Sequence, residues 1–131
     1  MMVNLKDLPQ LSPTELEVMK ILWEADGLSA REVHQRIGDH MDWAYSTTRT
    51  TIERMVRKGL VKKNVFHGLH LYTASVSRAS GLARMVRDFA RQVLETSHVP
   101  VVSLFADSGR LNDDEIDELG RLLDDLDGGE V

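Results

Sequence analysis

Apolar side chains recur along this chain first at helical spacing, then at strand spacing, then at helical spacing again. Leu16, Met19, Leu22 and Trp23 follow a helical period after Ser12-Pro13-Thr14-Glu15. There Ser12 can cap, Pro13 suits the first helical position, and Glu15 can reach back to the cap. Asp26-Gly27 stops this helix. Ser29-Ala30-Arg31-Glu32 repeats the capping pattern, and Val33 and Ile37 give the second helix its buried side. Gly38 to Trp43 reads as a turn. A third helix is expected from about Ser46 to Gly59, with Ile52, Met55 and Val56 as its apolar stripe. The period then drops to two: residues 60–66 and 69–74 alternate as strands about His67-Gly68, a pair suited to a two-residue turn. A long helix is expected over Arg78–Thr96, with Leu82, Met85, Val86, Phe89, Val93 and Leu94 as its apolar positions. Residues 97–100 break it. A short apolar segment, Val101 to Ala106, leads to a last helix from Asn112, capped with Glu115 and striped by Ile116, Leu119, Leu122, Leu123 and Leu126.

Three helices and a hairpin inside about 75 residues are the pattern of a winged helix. The expected class is therefore α+β, mostly helical: a winged helix-turn-helix domain over residues 1–75 and a helical dimerisation region over 76–131. The C-terminal helices have wide stripes but are too few to be stable alone. They must pack on the N-terminal domain or on a second copy of themselves, and a two-fold dimer would match a palindromic site on DNA.

Length and composition narrow the classes. The chain has 131 residues, 42% of them hydrophobic and 28% charged, as in an ordinary globular protein. Aromatic residues make up only 5%, which leaves few rings for stacking single-stranded bases. With no Cys, disulfides and thiolate metal sites are excluded. No apolar run approaches the ~18 residues of a membrane span, and no signal-like segment opens the chain, so it is expected in the cytoplasm without a membrane partner. The net charge of −5 argues against nucleic acid when taken whole. Its distribution reverses that. Residues 45–75 carry Arg49, Arg54, Arg57, Lys58, Lys62 and Lys63 against Glu53 alone, whereas the acids gather in 107–131. Phosphate binding depends on the local field.

The stretch Ser46-Thr47-Thr48-Arg49-Thr50-Thr51-Ile52-Glu53-Arg54 concentrates the candidate chemistry. Thr is a mediocre helix former, so four in one helix suit base and phosphate contacts better than stability, although Thr48 lies one turn before Ile52 and can face the core. Ser46, Thr47, Arg49, Thr50 and Arg54 are the candidates for base and nearby phosphate contacts. Arg57, Lys58, Lys62 and Lys63 are candidates for phosphates, the last two on a hairpin whose lysines also protect a sheet edge. Leu82, Phe89, Val101, Leu104, Phe105, Ile116, Leu119 and Leu123 are candidates for dimer packing. Of the five histidines, His67 and His70 fall on opposite faces of a regular hairpin with no Cys or clustered carboxylates beside them, so no metal is expected. No nucleophile constellation or Gly-rich phosphate loop can be placed, so neither catalysis nor a cofactor is expected. Two alternatives stay open: a winged helix used only for protein contacts, and a regulator gated by a small molecule between its domains.

Nearly the whole chain resembles the penicillinase repressor family of bacteria, which includes methicillin-resistance and copper-responsive repressors. The similar residues are Leu11-Ser12-Pro13-Thr14-Glu15-Leu16-Glu17-Val18-Met19-Lys20-Ile21-Leu22-Trp23, then Trp43, Thr47-Thr48-Arg49-Thr50, Arg54, Lys58-Gly59 and Tyr72, then Ser103-Leu104-Phe105-Ala106 and Leu111-Asn112 through Glu115-Ile116-Asp117-Glu118-Leu119. The resemblance implies a homodimeric winged-helix repressor on a two-fold, double-stranded operator. For the antibiotic-responsive branch it also implies a sensor-linked protease that inactivates the repressor at a bond matching Leu104-Phe105. The best-known members have Asn where this chain has Leu104. The copper-responsive branch uses a Cys-rich motif, which this chain lacks.

Overall fold

Three reciprocal caps fix the starts of three helices. The computed structural model describes residues 8–93, 95 and 99–129. Helix α1 (Pro13–Leu22) begins where the Glu15 amide donates to the Ser12 hydroxyl at 3.2 Å and the Ser12 amide donates to the Glu15 carboxylate at 2.9 Å. Helix α2 (Ala30–Met41) repeats this with Ser29 and Glu32. It kinks at Gly38, whose φ of 60° and ψ of −152° are open to glycine. No atom lies within 4 Å of a Cβ placed there, so the glycine serves the backbone and not the packing. Helix α3 (Tyr45–Arg57) follows, then strands β1 (Val61–Phe66) and β2 (Leu69–Ala74). The strands pair antiparallel from Val61 opposite Ala74 to Phe66 opposite Leu69. His67 and Gly68, with φ of 50° and 79°, form the turn between them.

These elements make one compact unit, residues 11–77. Val18, Met19 and Leu22 of α1, Val33 and Ile37 of α2, and Ile52 and Met55 of α3 meet Leu60, Val61 and Tyr72 in its core. Leu28 adds a one-residue third strand: its amide donates to the Tyr72 carbonyl at 3.1 Å and the Tyr72 amide donates back at 2.8 Å. The Trp23 indole N–H donates to the Val76 carbonyl at 2.9 Å, which fixes where the chain leaves the unit.

A second unit holds α4 (Arg78–Gln92), α5 (Val99–Ser108) and α6 (Asp113–Gly129). Ala79, Ala83, Val86 and Ala90 line the inner side of α4. Leu119 and Leu123 of α6, Val101 of α5 and Leu8 complete the same cluster. The alanines keep this side of α4 narrow, so larger neighbours fill the core. Asn112 and Glu115 cap α6 reciprocally, at 2.8 and 3.0 Å. Arg78 ties the start of α4 to α6, its Nε standing 3.5 Å from the Glu115 carboxylate.

Several sequence expectations change here. Leu8 packs with the helical unit, although the sequence pattern assigns residues 1–75 to the winged-helix domain. Helix α4 ends at Gln92, short of Thr96. Leu94 and Thr96 lie outside the described residues. The apolar segment Val101–Ala106 is the middle of a helix, α5, with Pro100 in the first turn, where a missing amide costs no hydrogen bond. Val101, Leu119 and Leu123, expected in dimer packing, are no more than 5% exposed and sit inside the unit's own core. A stripe shows which side of a helix is covered, not which chain covers it. The outer apolar side is different: Met85 and Phe89 of α4, Val93 just past its end, and Leu104 of α5 are exposed. Leu82, Phe105 and Ile116 are half-buried.

Candidate nucleic-acid interface

Helix α3 divides its side chains between core and solvent. Thr48, Thr51, Ile52 and Met55 are buried, so two of the four threonines complete the inner stripe. The Thr48 hydroxyl lies 2.8 Å from His34 Nδ1, which gives a buried polar group a partner. Ser46, Thr47, Arg49, Thr50, Arg54 and Arg57 are exposed. Ser46, Arg49, Thr50, Glu53 and Arg57 together line an open concavity on this surface. The start of α3 differs from that of α1 and α2: its cap residue is Ala44, with no side chain to accept from the first amides. Arg31 stacks over the Tyr45 ring at 4.0 Å, and His34 meets the same ring edge-on.

Glu53, the acid in this basic segment, joins α3 to the hairpin. The Tyr72 hydroxyl donates to its carboxylate at 2.7 Å, and Lys63 Nζ stands 3.0 Å away. The Tyr72 hydrogen bond, helped by Lys63 and opposed by partial burial, holds the Glu53 carboxyl below its ordinary range. Burial, then the Glu53 bond, pushes the Tyr72 hydroxyl up to about 12. The hairpin is thus locked to α3 at both strands, through Lys63 of β1 and Tyr72 of β2.

The other end of α3 is anchored by a contact that local sequence does not announce. Lys58 Nζ donates to both Glu15 carboxylate oxygens, at 2.9 and 2.8 Å. Arg54 Nε lies 3.8 Å from the same group. Burial alone would raise the Glu15 carboxyl, but the bonds from Lys58 and the Ser12 amide outweigh it and hold the group below its ordinary range. Of the expected phosphate contacts, Lys58 and Lys63 are therefore engaged with Glu15 and Glu53. Lys62 is exposed, with no ion pair among the described residues. Glu15 is legible in the sequence only as a capping residue. Its second role needs a partner 43 positions away.

Among the described residues no group of His, Asp and Glu is arranged to hold a metal ion. No helix among them is long and apolar enough to cross a membrane.

Three helices closed by an antiparallel hairpin, with a basic, hydroxyl-bearing third helix beside that hairpin, define a winged helix-turn-helix protein. A model of the penicillinase repressor family matches residues 11–125, and the chain belongs to that family. It is 25% identical over 121 residues to the penicillinase repressor of Bacillus licheniformis, covering 92% of this chain and 94% of that one. It is 28% identical over 114 residues to the methicillin resistance regulatory protein MecI of Staphylococcus aureus, covering 87% of this chain and 93% of the relative. Among solved structures it is similar to the monomeric form of Bacillus licheniformis BlaI in complex with the blaP half-operator. That match has a TM-score of 0.51 and 26% identity, and covers 60% of this chain and 93% of the other.

Proposed function

We propose that this protein is a sequence-specific transcriptional repressor that binds duplex DNA through α3 and the hairpin. The observation that carries this reading is the exposed Ser/Thr/Arg side of α3, continuous with a hairpin that Glu53 fastens to it. In this reading α3 lies in the major groove. Ser46, Thr47, Arg49 and Thr50 face base edges, and Arg54, Arg57 and Lys62 meet phosphates. Lys58 and Lys63 hold the reading head in shape and would reach a phosphate only by leaving their carboxylates. The start of α3, where Ala44 offers no capping side chain, suits a further phosphate oxygen. Family membership supports the same function, since the relatives are repressors and one was solved on a half-operator.

A half-operator implies a second half, and we infer a homodimer in which two heads bind neighbouring half-sites. The outer side of α4, with Met85 and Phe89, Val93 just past its end and the exposed Leu104 of α5 form the apolar surface such a dimer would cover. Inactivation by a sensor-linked protease at Leu104-Phe105 would cut α5 within a regular helix, so local unwinding must come first.

The test is fluorescence anisotropy on a duplex selected by the protein from a random pool, with a scrambled duplex as control. Arg49→Ala and Thr47→Ala should each lose about 1–3 kcal/mol on the selected duplex. Parent-like binding by both variants would sink the assignment of the reading surface.

A further inference from the structure

The proposed DNA surface accounts for the base of the hairpin but not for its end. Val65, Phe66 and Leu69 are 65%, 61% and 54% exposed there. A wing that only rested on phosphates would have no use for them, since apolar groups cannot pair with anionic oxygens. Nor do they belong to the core cluster of their unit. Their register gives them a direction. Phe66 stands opposite Leu69 on the last rung, on the same side of the ribbon as the Asn64–Leu71 and Lys62–Thr73 pairs. This side therefore runs from an exposed cation at its base to an apolar pair at its end. The two-residue turn at His67-Gly68 makes the end narrow, and the His67 ring stands edge-on to Phe66 with centroids 4.3 Å apart. On the other side Lys63 is held by Glu53, so the tip cannot swing freely from α3.

We propose that the wing tip is a minor-groove wedge, with Phe66 and Leu69 entering the groove beside the α3 contacts and opening one base step while Lys62 holds a flanking phosphate. This rests on the DNA-binding reading above. The minor groove is about 6 Å wide, too narrow for a ribbon but open to side chains presented at a tight turn. Apolar wedges unstack a step and bend the duplex, and they act most easily at pyrimidine–purine steps, where stacking gives way readily. The wing would then select sites by deformability, at positions where it makes no base-edge hydrogen bond. DNA is the occupant favoured because the apolar pair shares its side of the ribbon with Lys62 and is continuous with the basic surface of α3.

The test uses the full chain and its best duplex from a random pool, with 2-aminopurine placed in turn along the flank of the α3 site. Binding should raise the fluorescence at one flanking step. A Phe66→Ser, Leu69→Ser double variant should lose that rise and bind about tenfold or more weakly, as expected when two apolar side chains no longer leave water on binding. It should keep the parent's salt dependence, because an apolar contact releases no counterions. Both side chains are exposed, so the variant should melt as the parent does. Parent-like affinity, or a normal fluorescence rise in the variant, overturns the wedge. Unchanged DNA binding with altered sedimentation also overturns it and reassigns the tip to a contact between copies. A parent chain with no salt-dependent binding to any duplex in the pool would instead overturn the DNA-binding reading itself.

Discussion

Replacing Glu15 by Gln isolates the charge that ties α1 to the end of α3. The amide keeps the shape of the side chain and can still accept one hydrogen bond from the Ser12 amide. What it loses is the charge facing Lys58 at 2.8 Å and Arg54 at 3.8 Å. A hydrogen bond to a charged group is worth ~1.5–3 kcal/mol. The Lys58 side chain is 44% exposed and regains water when released, so the full value is not lost. We expect a net destabilisation of about 1–2 kcal/mol, which for a unit of this size lowers the melting temperature by roughly 5–15 °C. Both tryptophans, Trp23 and Trp43, lie in the same unit, so urea unfolding followed by their fluorescence reports on it directly. The sign with pH follows from the lowered Glu15 carboxyl. Its contribution is present above the ordinary value of 4.5 and is lost as pH falls through the lower folded value. The gap between parent and variant should therefore be full at pH 7 and should close on acidification below 4.5. A cycle with Lys58→Met should recover most of the loss as coupling between the two sites. A variant within ~0.3 kcal/mol of the parent at neutral pH, or a gap unchanged in acid, would refute the reasoning.

Four further substitutions have expected outcomes. Lys62→Ala should weaken binding to all duplexes alike and reduce the salt slope by about 0.9, whereas a loss confined to the selected duplex would mean that Lys62 reads bases. Phe89→Asp should shift sedimentation towards monomer with little change in helix content. Leu119→Asp, by contrast, places a carboxylate in the core of the C-terminal unit and should unfold that unit, so circular dichroism separates the two variants. Tyr72→Phe should cost about 1 kcal/mol in urea unfolding near neutral pH. Because the folded hydroxyl value is raised to about 12, the parent's advantage should hold up to the ordinary value of 10.0 and vanish as pH rises through the folded one.

Features set by neighbours in sequence were legible before the structure. The caps at Ser12, Ser29 and Asn112 depend on a residue three positions on, and the turn at His67-Gly68 on two adjacent residues. Features set by distant partners were not. Glu15 and Lys58 look like a cap and a surface lysine until the fold brings them together. Thr51 looks like part of a polar surface, yet helical spacing carries it to the inner side of α3 with Thr48, whose place one turn before Ile52 already allowed it there. Leu28 pairs with Tyr72 through a single residue, too short a strand to show a period. The segment Val101–Ala106 is a short apolar run interrupted only by Ser103, so its spacing could not distinguish helix from strand. Val101, Leu119 and Leu123 were legible as buried, but a stripe carries no label for the chain that buries it.

The two sides of α4 can change independently. Its inner side is built of Ala79, Ala83, Val86 and Ala90, and its outer side of Met85 and Phe89, with Val93 just beyond its end. Substitutions on the outer side leave the inner contacts with α6 untouched. In the proposed dimer, a bacterium that holds several related chains could therefore keep them from forming mixed pairs by altering only the outer positions. Gene duplication would then yield regulators insulated from one another without any repacking of the arm that each must fold first.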